Sequence, residues 1–438
     1  MTLTTPITVV RGRFLDIQKT VSQAQDIIDQ VRYIEDGVLI AKQGQIRWFG
    51  SWDDAQAHLP ANVEIQHYPE QLIIPGMIDT HIHFPQTEMV GAYGEQLLSW
   101  LNTYTFPTEI QFQDPSYAQK IAEFFIQELL KNGTTTALVF CTVHPESVDA
   151  LFEAAAQQQM RLIAGKVMMD RHAPEALCDT AESAYEDSKA LIGKWHGQGR
   201  ALYAITPRFA PTSTPEQLER AGQLKAEFPD VYVHTHLSEN KDEIAWVKDL
   251  FPAQKGYLDV YHHYGLTGNR SVFAHCVHLE DAEWQCMHET DSAIAFCPTS
   301  NLFLGSGLFP LKKTWQQQVK VGLGTDIGAG TSFSLLQTVN EAYKVQQLQG
   351  DKLSAFESLY HATLGGAKAL DLDDKLGNFN VGKEADFVVL NLKPTALQQL
   401  RQSRSKSIED SLFALFTMGD DRNIEATYIY GQKAYSQS

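Results

Sequence analysis

The first residues able to do chemistry are His81 and His83, near the end of the stretch LIIPGMIDTHIHFPQ that runs from Leu72 to Gln86. On an extended strand, residues i and i+2 share a face, so both imidazoles project the same way. Neutral imidazole is a common zinc ligand, and two side by side are a natural start for a metal site. Taken alone, the pair also fits two polar residues at a strand end. Three later segments change that balance. Each is a short apolar or β-branched run that ends in a candidate ligand. Val231 to His236 ends in His236, with Glu239 three residues on; Ser271 to His275 ends in His275; Val321 to Asp326 ends in Asp326. His234 lies on the same strand face as His236 and rivals it as a ligand.

Strand ends that converge on one pocket imply a scaffold that collects them. Strand-like and helix-like runs alternate through the middle of the chain, the pattern of a parallel α/β sheet. Besides the strand within 72–86 that ends in His81-Ile82-His83, strands are expected near 134–140, 162–168, 202–206, 231–236, 271–275, 293–297 and 321–326. Between the first two, Asp114-Pro115 can cap and open a helix. Its apolar face would be Ile121, Phe124, Phe125, Ile126, Leu129 and Leu130, with Asn132-Gly133 as its stop. Thr214-Pro215-Glu216-Gln217 has capping-box spacing for another helix. Eight strands separated by helices is the (β/α)8 TIM-barrel count, and that fold gathers its active site at the C-terminal ends of its strands. Both ends of the chain are β-rich.

Composition narrows the function classes. The chain has 438 residues, long for one compact core, so a large domain with a smaller one is expected. Acidic residues outnumber basic ones 53 to 35, a net charge of −18 that disfavours nucleic acid as a partner. No apolar run reaches the roughly 20 residues that a membrane span needs, and the N-terminus lacks the pattern of a signal peptide. The five cysteines form no CxxC, and an odd count argues against a disulfide framework. A cytoplasmic protein with reduced thiols is expected.

The motifs PGMIDTHIH, HTHLSEN, FAHC and GTD, in that order, resemble the amidohydrolase superfamily over nearly the whole length. HFPQ at 83–86, PRFAPT at 207–212, HCVHL at 275–279 and FCPTSN at 296–301 are similar to the guanine deaminases within it. The resemblance implies a (β/α)8 barrel over 74–370, with 1–73 and 371–438 forming a small β-sandwich beside it. It implies one zinc ion per chain, held by His81, His83, His236 and Asp326, with His234 one layer deeper in the barrel. It also implies hydrolysis of guanine to xanthine and ammonia. In that reaction a zinc-bound hydroxide attacks the amino-bearing ring carbon, Glu239 shuttles the proton, and His275 and Asp326 orient the hydroxide. The base would lie against Gln86, Arg208 and Phe209, with His83, His236, Glu239 and Asp326 also facing it. A homodimer is the usual state in the resembled family.

Several of these residues have plain structural readings as well. Glu239 is placed where a helix N-terminus favours a carboxylate. Arg208 could serve a surface ion pair. Trp100, Leu101 and Phe303 are candidate pocket walls that could equally be core, and His278 is a candidate site residue with no role attached. Leu202–Thr206 contains no lysine, so the carbamate bridge of two-metal relatives is not expected; Lys166 reads as a buried or paired structural residue. Deamination of cytosine, adenine or a triazine is the sibling reaction on the same ligands. A metal-free scaffold should have lost ligands that this chain keeps. The deaminase design built on PCxxC is excluded by the absence of that motif.

Overall fold

A computed structural model describes residues 7–93 and 97–437. Its centre is a nearly closed barrel of eight parallel strands, in the order expected. They are Met77–His83, Thr134–Phe140, Arg161–Gly165, Ala201–Pro207, Tyr232–Leu237, Ser271–His275, Ala293–Phe296 and Lys320–Leu323. The third is shorter than the run 162–168 anticipated from the sequence. It breaks at Lys166, and Val167–Met168 pairs separately with Thr206 and Pro207. Lys166 is fully buried and its Nζ lies 2.6 Å from Asp179. A strand that must bury an ammonium beside its partner carboxylate gives up ladder regularity there.

The helices follow their local signals with two exceptions. Pro115–Lys131 starts at Asp114, whose carboxylate accepts from the Ser116 N–H, and stops before Gly133 in left-handed geometry. Ile121, Phe125, Ile126, Leu129 and Leu130 are buried, but Phe124 is exposed, because 100° per residue carries it off the stripe. In Pro215–Glu227 the Thr214 hydroxyl caps the Gln217 N–H, yet the reciprocal half of the box is not made. The Gln217 amide oxygen accepts from the Ser213 hydroxyl instead, at 2.7 Å.

The chain's two ends build a separate seven-stranded sheet. Its order is Gln432–Ser436, Ile424–Ile429, Phe387–Leu390, Ile65–Pro75, Ile7–Ile17, Val31–Lys42, Gln45–Ser51. The edge strand Gln45–Ser51 also meets the segment leading into Phe387–Leu390, where the Ile46 N–H donates to the Lys383 carbonyl at 2.8 Å. The strand Ile65–Pro75 belongs to this sheet, and the barrel begins two residues later at Met77. Gly76 makes the crossing: a Cβ there would sit 2.0 Å from Thr135 Oγ1. Two helices, Ala396–Gln402 and Ile408–Met418, interrupt the C-terminal β segment. The second rests on Leu335–Leu348 through an edge-on pair of Phe413 and Tyr343. Among the described residues, no helix is long and apolar enough to cross a membrane.

The barrel seam between the last strand and the first sets the candidate ligands side by side. The Asp326 N–H donates to the His81 carbonyl at 2.9 Å, and the His83 N–H donates to the Ile327 carbonyl at 3.0 Å. One step deeper, Asp79 Oδ1 accepts from the Thr325 N–H at 3.1 Å and the His81 N–H at 3.2 Å, and Asp79 Oδ2 accepts from the Thr325 hydroxyl. Removing that carboxylate strands two buried N–H groups. Asp79→Ala is therefore expected to lower stability by about 3 kcal/mol, with Asp79→Asn costing less because its amide oxygen still accepts. Urea denaturation of the three proteins checks this, and an unchanged midpoint in the alanine variant would contradict the seam's role.

Candidate active site

Four electron-rich atoms converge where the seam opens at the C-terminal face. His81 Nε2 and His83 Nε2 are 3.2 Å apart, and His83 Nε2 and His236 Nε2 are also 3.2 Å apart. Asp326 Oδ1 lies 3.1 Å from His81 Nε2 and 3.3 Å from His83 Nε2. These residues come from the first, fifth and eighth strands, and each side chain is buried or nearly so. Phe140, at the end of the second strand, floors the cluster. Its ring packs 4.6 Å from that of His83 and 4.7 Å from that of His236, centroid to centroid. Gly324 leaves room beside them, since a Cβ there would meet His81 Cβ at 2.9 Å.

The surroundings decide which nitrogens carry protons. His236 Nδ1 donates to the Arg208 carbonyl at 2.7 Å, so its Nε2 presents a lone pair to the cluster. His81 Nδ1 faces His234 Nε2 at 2.8 Å. His234 thus stands behind His81, outside the converging set, and the rivalry with His236 resolves by depth along the strand. Burial pushes the His81 imidazole down, takes His83 to about 3, and holds His234 and His236 well below their ordinary value. Burial works to raise the Asp326 carboxyl, but His81 and His83 outweigh it and keep it well below the carboxylate range. Neutral imidazoles and an ionised carboxylate at this spacing repel one another unless a cation lies among them. Three nitrogens and one oxygen fit zinc.

A second layer faces the cluster from the side. His275 Nδ1 contacts the Asn301 amide oxygen at 2.8 Å, which leaves Nε2 directed at two carboxylates: Glu239 Oε2 at 3.5 Å and Asp326 Oδ2 at 3.7 Å. Both His275, at φ 70, and Asp326, at φ 52, adopt left-handed backbone. That geometry is uncommon outside glycine and aims the side chains inward. Glu239 precedes the helix Lys241–Leu250 but does not cap it. Asn240 takes that duty, its Oδ1 accepting from the Asp242 N–H at 2.8 Å, and Glu243 completes the capping box, its Oε2 accepting from the Glu239 N–H at 3.0 Å and the Asn240 N–H at 3.1 Å. The Glu239 carboxyl is thereby released into the pocket, where Oε1 accepts from the Ser306 hydroxyl at 3.0 Å. Burial raises it to about 8, and repulsion from Asp326 adds to the rise. His278, without a role in the sequence, donates from Nε2 to the Ser306 carbonyl at 2.8 Å and so steadies Glu239's partner.

A small pocket opens over the cluster. Gln86, Arg208 and Phe209 line it together with His83, His236, Glu239, His275 and Asp326. Trp100 and Leu101 form part of its wall; Phe303 does not, and its neighbour Leu304 takes that place. Arg208 is no surface residue. It is 2% exposed, and its Nη1 meets both oxygens of buried Glu109 at 2.8 and 3.0 Å. Asn301 closes the FCPTSN motif, which by itself gives that residue no role. Glu109, Glu243, Ser306 and Phe140 carried no signal in spacing or type. Cys276 is buried and turned to the Phe273 carbonyl, away from the cluster.

Comparison with known proteins places the chain. The Amidohydrolase family pattern matches residues 72–434. A guanine deaminase of Escherichia coli is 62% identical over 429 residues, 98% of either chain. The solved structure of an E. coli guanine deaminase superposes with a TM-score of 0.96 at 60% identity, covering 99% of this chain and 100% of that one. A guanine deaminase from C. acetobutylicum, solved with guanine bound in its active site, superposes with a TM-score of 0.88 at 31% identity, covering 98% and 100%.

The lowered imidazoles carry a pH consequence. Three histidines titrating near 6.5 would each weaken cation binding about tenfold at pH 5.5, about a thousandfold together. Here burial lowers all three imidazoles, so proton competition at pH 5.5 is much weaker. Chelator competition at pH 7.5 and 5.5, corrected for the chelator's own protonation, is expected to give zinc affinities within about tenfold of each other. A loss near a thousandfold would show imidazoles titrating at their ordinary value.

Proposed function

The chain belongs to the amidohydrolase family, and we propose from that premise that it hydrolyses guanine to xanthine and ammonia with the help of one zinc ion per chain. The observation that carries the reading is a juxtaposition inside one small pocket. The three-histidine, one-carboxylate cluster, the raised Glu239 carboxyl and the donors of Gln86 and Arg208 all face the same space. The guanine deaminases at 62% and 31% identity, the second solved with its base, support the choice of ring.

His81, His83, His236 and Asp326 would hold the ion. It would supply Lewis acidity that brings the pKa of water from 15.7 to about 7. The rest is the work of the chain's own groups. Guanine lies flat against Phe209, with its carbonyl edge towards Arg208 and Gln86 and its amino-bearing carbon towards Glu239. A water oxygen adds to that carbon. Glu239 takes the proton released and returns it to the neighbouring ring nitrogen; it then carries the proton of the added hydroxyl to the departing amine, so the C–N bond breaks, ammonia leaves and the ring carbonyl forms. His275 holds the attacking oxygen in place through Nε2, and its own orientation is set by Asn301. Ser306 keeps one Glu239 oxygen occupied, which leaves the other for the proton transfer. Apolar side chains at Leu97, Trp100, Leu101, Leu304 and Ala329 line the pocket and limit water around the developing charge.

Ammonia release from guanine, cytosine, adenine and guanosine by the zinc-loaded protein tests this reading. Release from guanine alone is expected. Release from a different ring, with none from guanine, would reject the assignment of Gln86 and Arg208. Glu239→Gln is expected to lower kcat about a thousandfold with guanine binding retained, because it keeps the shape but cannot carry the proton. A variant within tenfold of the parent would remove Glu239 from the proton path.

A further inference from the structure

The mechanism leaves one buried charged group without a task. Glu109 ends the short helix Phe106–Glu109, and its side chain has no exposure at all. It lies behind the pocket wall, 23 residues from Gln86 and 99 from Arg208 along the chain. Yet it touches both. Glu109 Oε1 accepts from Gln86 Nε2 at 3.1 Å and from Arg208 Nη1 at 3.0 Å; Oε2 accepts from Arg208 Nη1 at 2.8 Å. One turn earlier, the Phe106 ring lies 5.6 Å from the Arg208 guanidinium carbon. Gln86 is held from its other end too, because its Oε1 accepts from the Gly328 N–H at 3.1 Å.

These contacts decide the hydrogen-bonding character of the pocket's recognition edge. A glutamine amide offers an acceptor and a pair of donors, and could turn either end to a ligand. Here the oxygen is turned towards the Gly328 N–H and the amide cannot turn over, since its oxygen would then face the Glu109 carboxylate. Arg208 has only donors, and one of its nitrogens is pinned by the same carboxylate. What Gln86 and Arg208 can still offer a ligand is therefore N–H groups. We propose that Glu109 is a positioning residue that sets the ring specificity: by pinning Gln86 and Arg208 together it presents a donor-only edge, which selects a purine with a carbonyl there and rejects one with an amino group. The inference rests on the functional reading above and deepens it. A site built to pair one polar group leaves buried donors unmatched when an isostere lacks the acceptor, and such sites discriminate by several orders of magnitude. The Glu109 charge also balances the buried guanidinium, which would otherwise be uncompensated.

Binding of hypoxanthine and adenine to the zinc-loaded protein tests this by calorimetry, since the two share a ring and differ at the carbonyl or amino position. The parent is expected to prefer hypoxanthine at least about a hundredfold. Glu109→Gln is expected to weaken hypoxanthine at least about tenfold and leave adenine unchanged or tighter, so that the preference collapses. Glu109→Asp keeps the charge and guards against misfolding of the neutral variant; it is expected to restore part of the preference. In an Arg208→Met background, Glu109→Gln is expected to add little further loss, as it acts through that partner. Equal weakening of both ligands, or no change in either, would overturn the inference and leave Glu109 a structural counter-ion. Failure of the functional reading looks different: the parent would release no ammonia from guanine, whatever Glu109 variants do to the binding preference.

Discussion

Three imidazole nitrogens and a carboxylate oxygen stand within 3.3 Å of their neighbours in a buried site, and the rest of the barrel is arranged around that unfavourable crowding. Like partial charges do not gather unless something holds them. The covalent part of the answer is the strand, which delivers His81 and His83 on one face. The non-covalent part is the seam. Backbone hydrogen bonds from Asp326 to His81 and from His83 to Ile327 fix the carboxylate beside the imidazoles, and Asp79 ties the same two strands one layer below. Left-handed backbone at His275 and Asp326 completes the aim. The structure thus holds the donor atoms ready for a cation and keeps protons off them by burial.

Around that centre, charge is matched locally and seldom wasted. Arg208 is neutralised by Glu109, Lys166 by Asp179, and the helix after the fifth strand is capped by Asn240 with Glu243 as its box partner, leaving Glu239 out. The last of these is a division of labour. Asn240 and Glu243 together hold the helix N-terminus, and the Glu239 carboxyl faces the pocket. Its raised affinity for a proton comes first from burial and then from repulsion by Asp326.

Much of this was legible in the sequence where chemistry and period coincide. His81 and His83 are two apart because a strand has period two, and His236, His275 and Asp326 each close an apolar run, so their convergence is a consequence of the barrel. Where the reading fell short, the cause was tertiary. Glu109 meets Gln86 and Arg208 only because a short helix folds over the barrel mouth, and nothing local marks that encounter. Lys166 breaks a strand because its buried ammonium finds Asp179, thirteen residues on. Leu304 displaces Phe303 from the pocket through the phase of one helical turn, and Phe124 leaves its expected stripe for the same reason. The helices at 396–418 sit inside a segment whose flanks are strongly β, which masked them.

The central claim is that one ion is held by these four residues and by no others. Diffraction from zinc-loaded crystals, collected on both sides of the zinc absorption edge, tests it most directly. The account predicts a single anomalous peak per chain at about 2.0–2.2 Å from His81 Nε2, His83 Nε2, His236 Nε2 and one Asp326 oxygen. A peak bound to His234, a second peak of comparable height, or an ion lying outside the histidine cluster would contradict it.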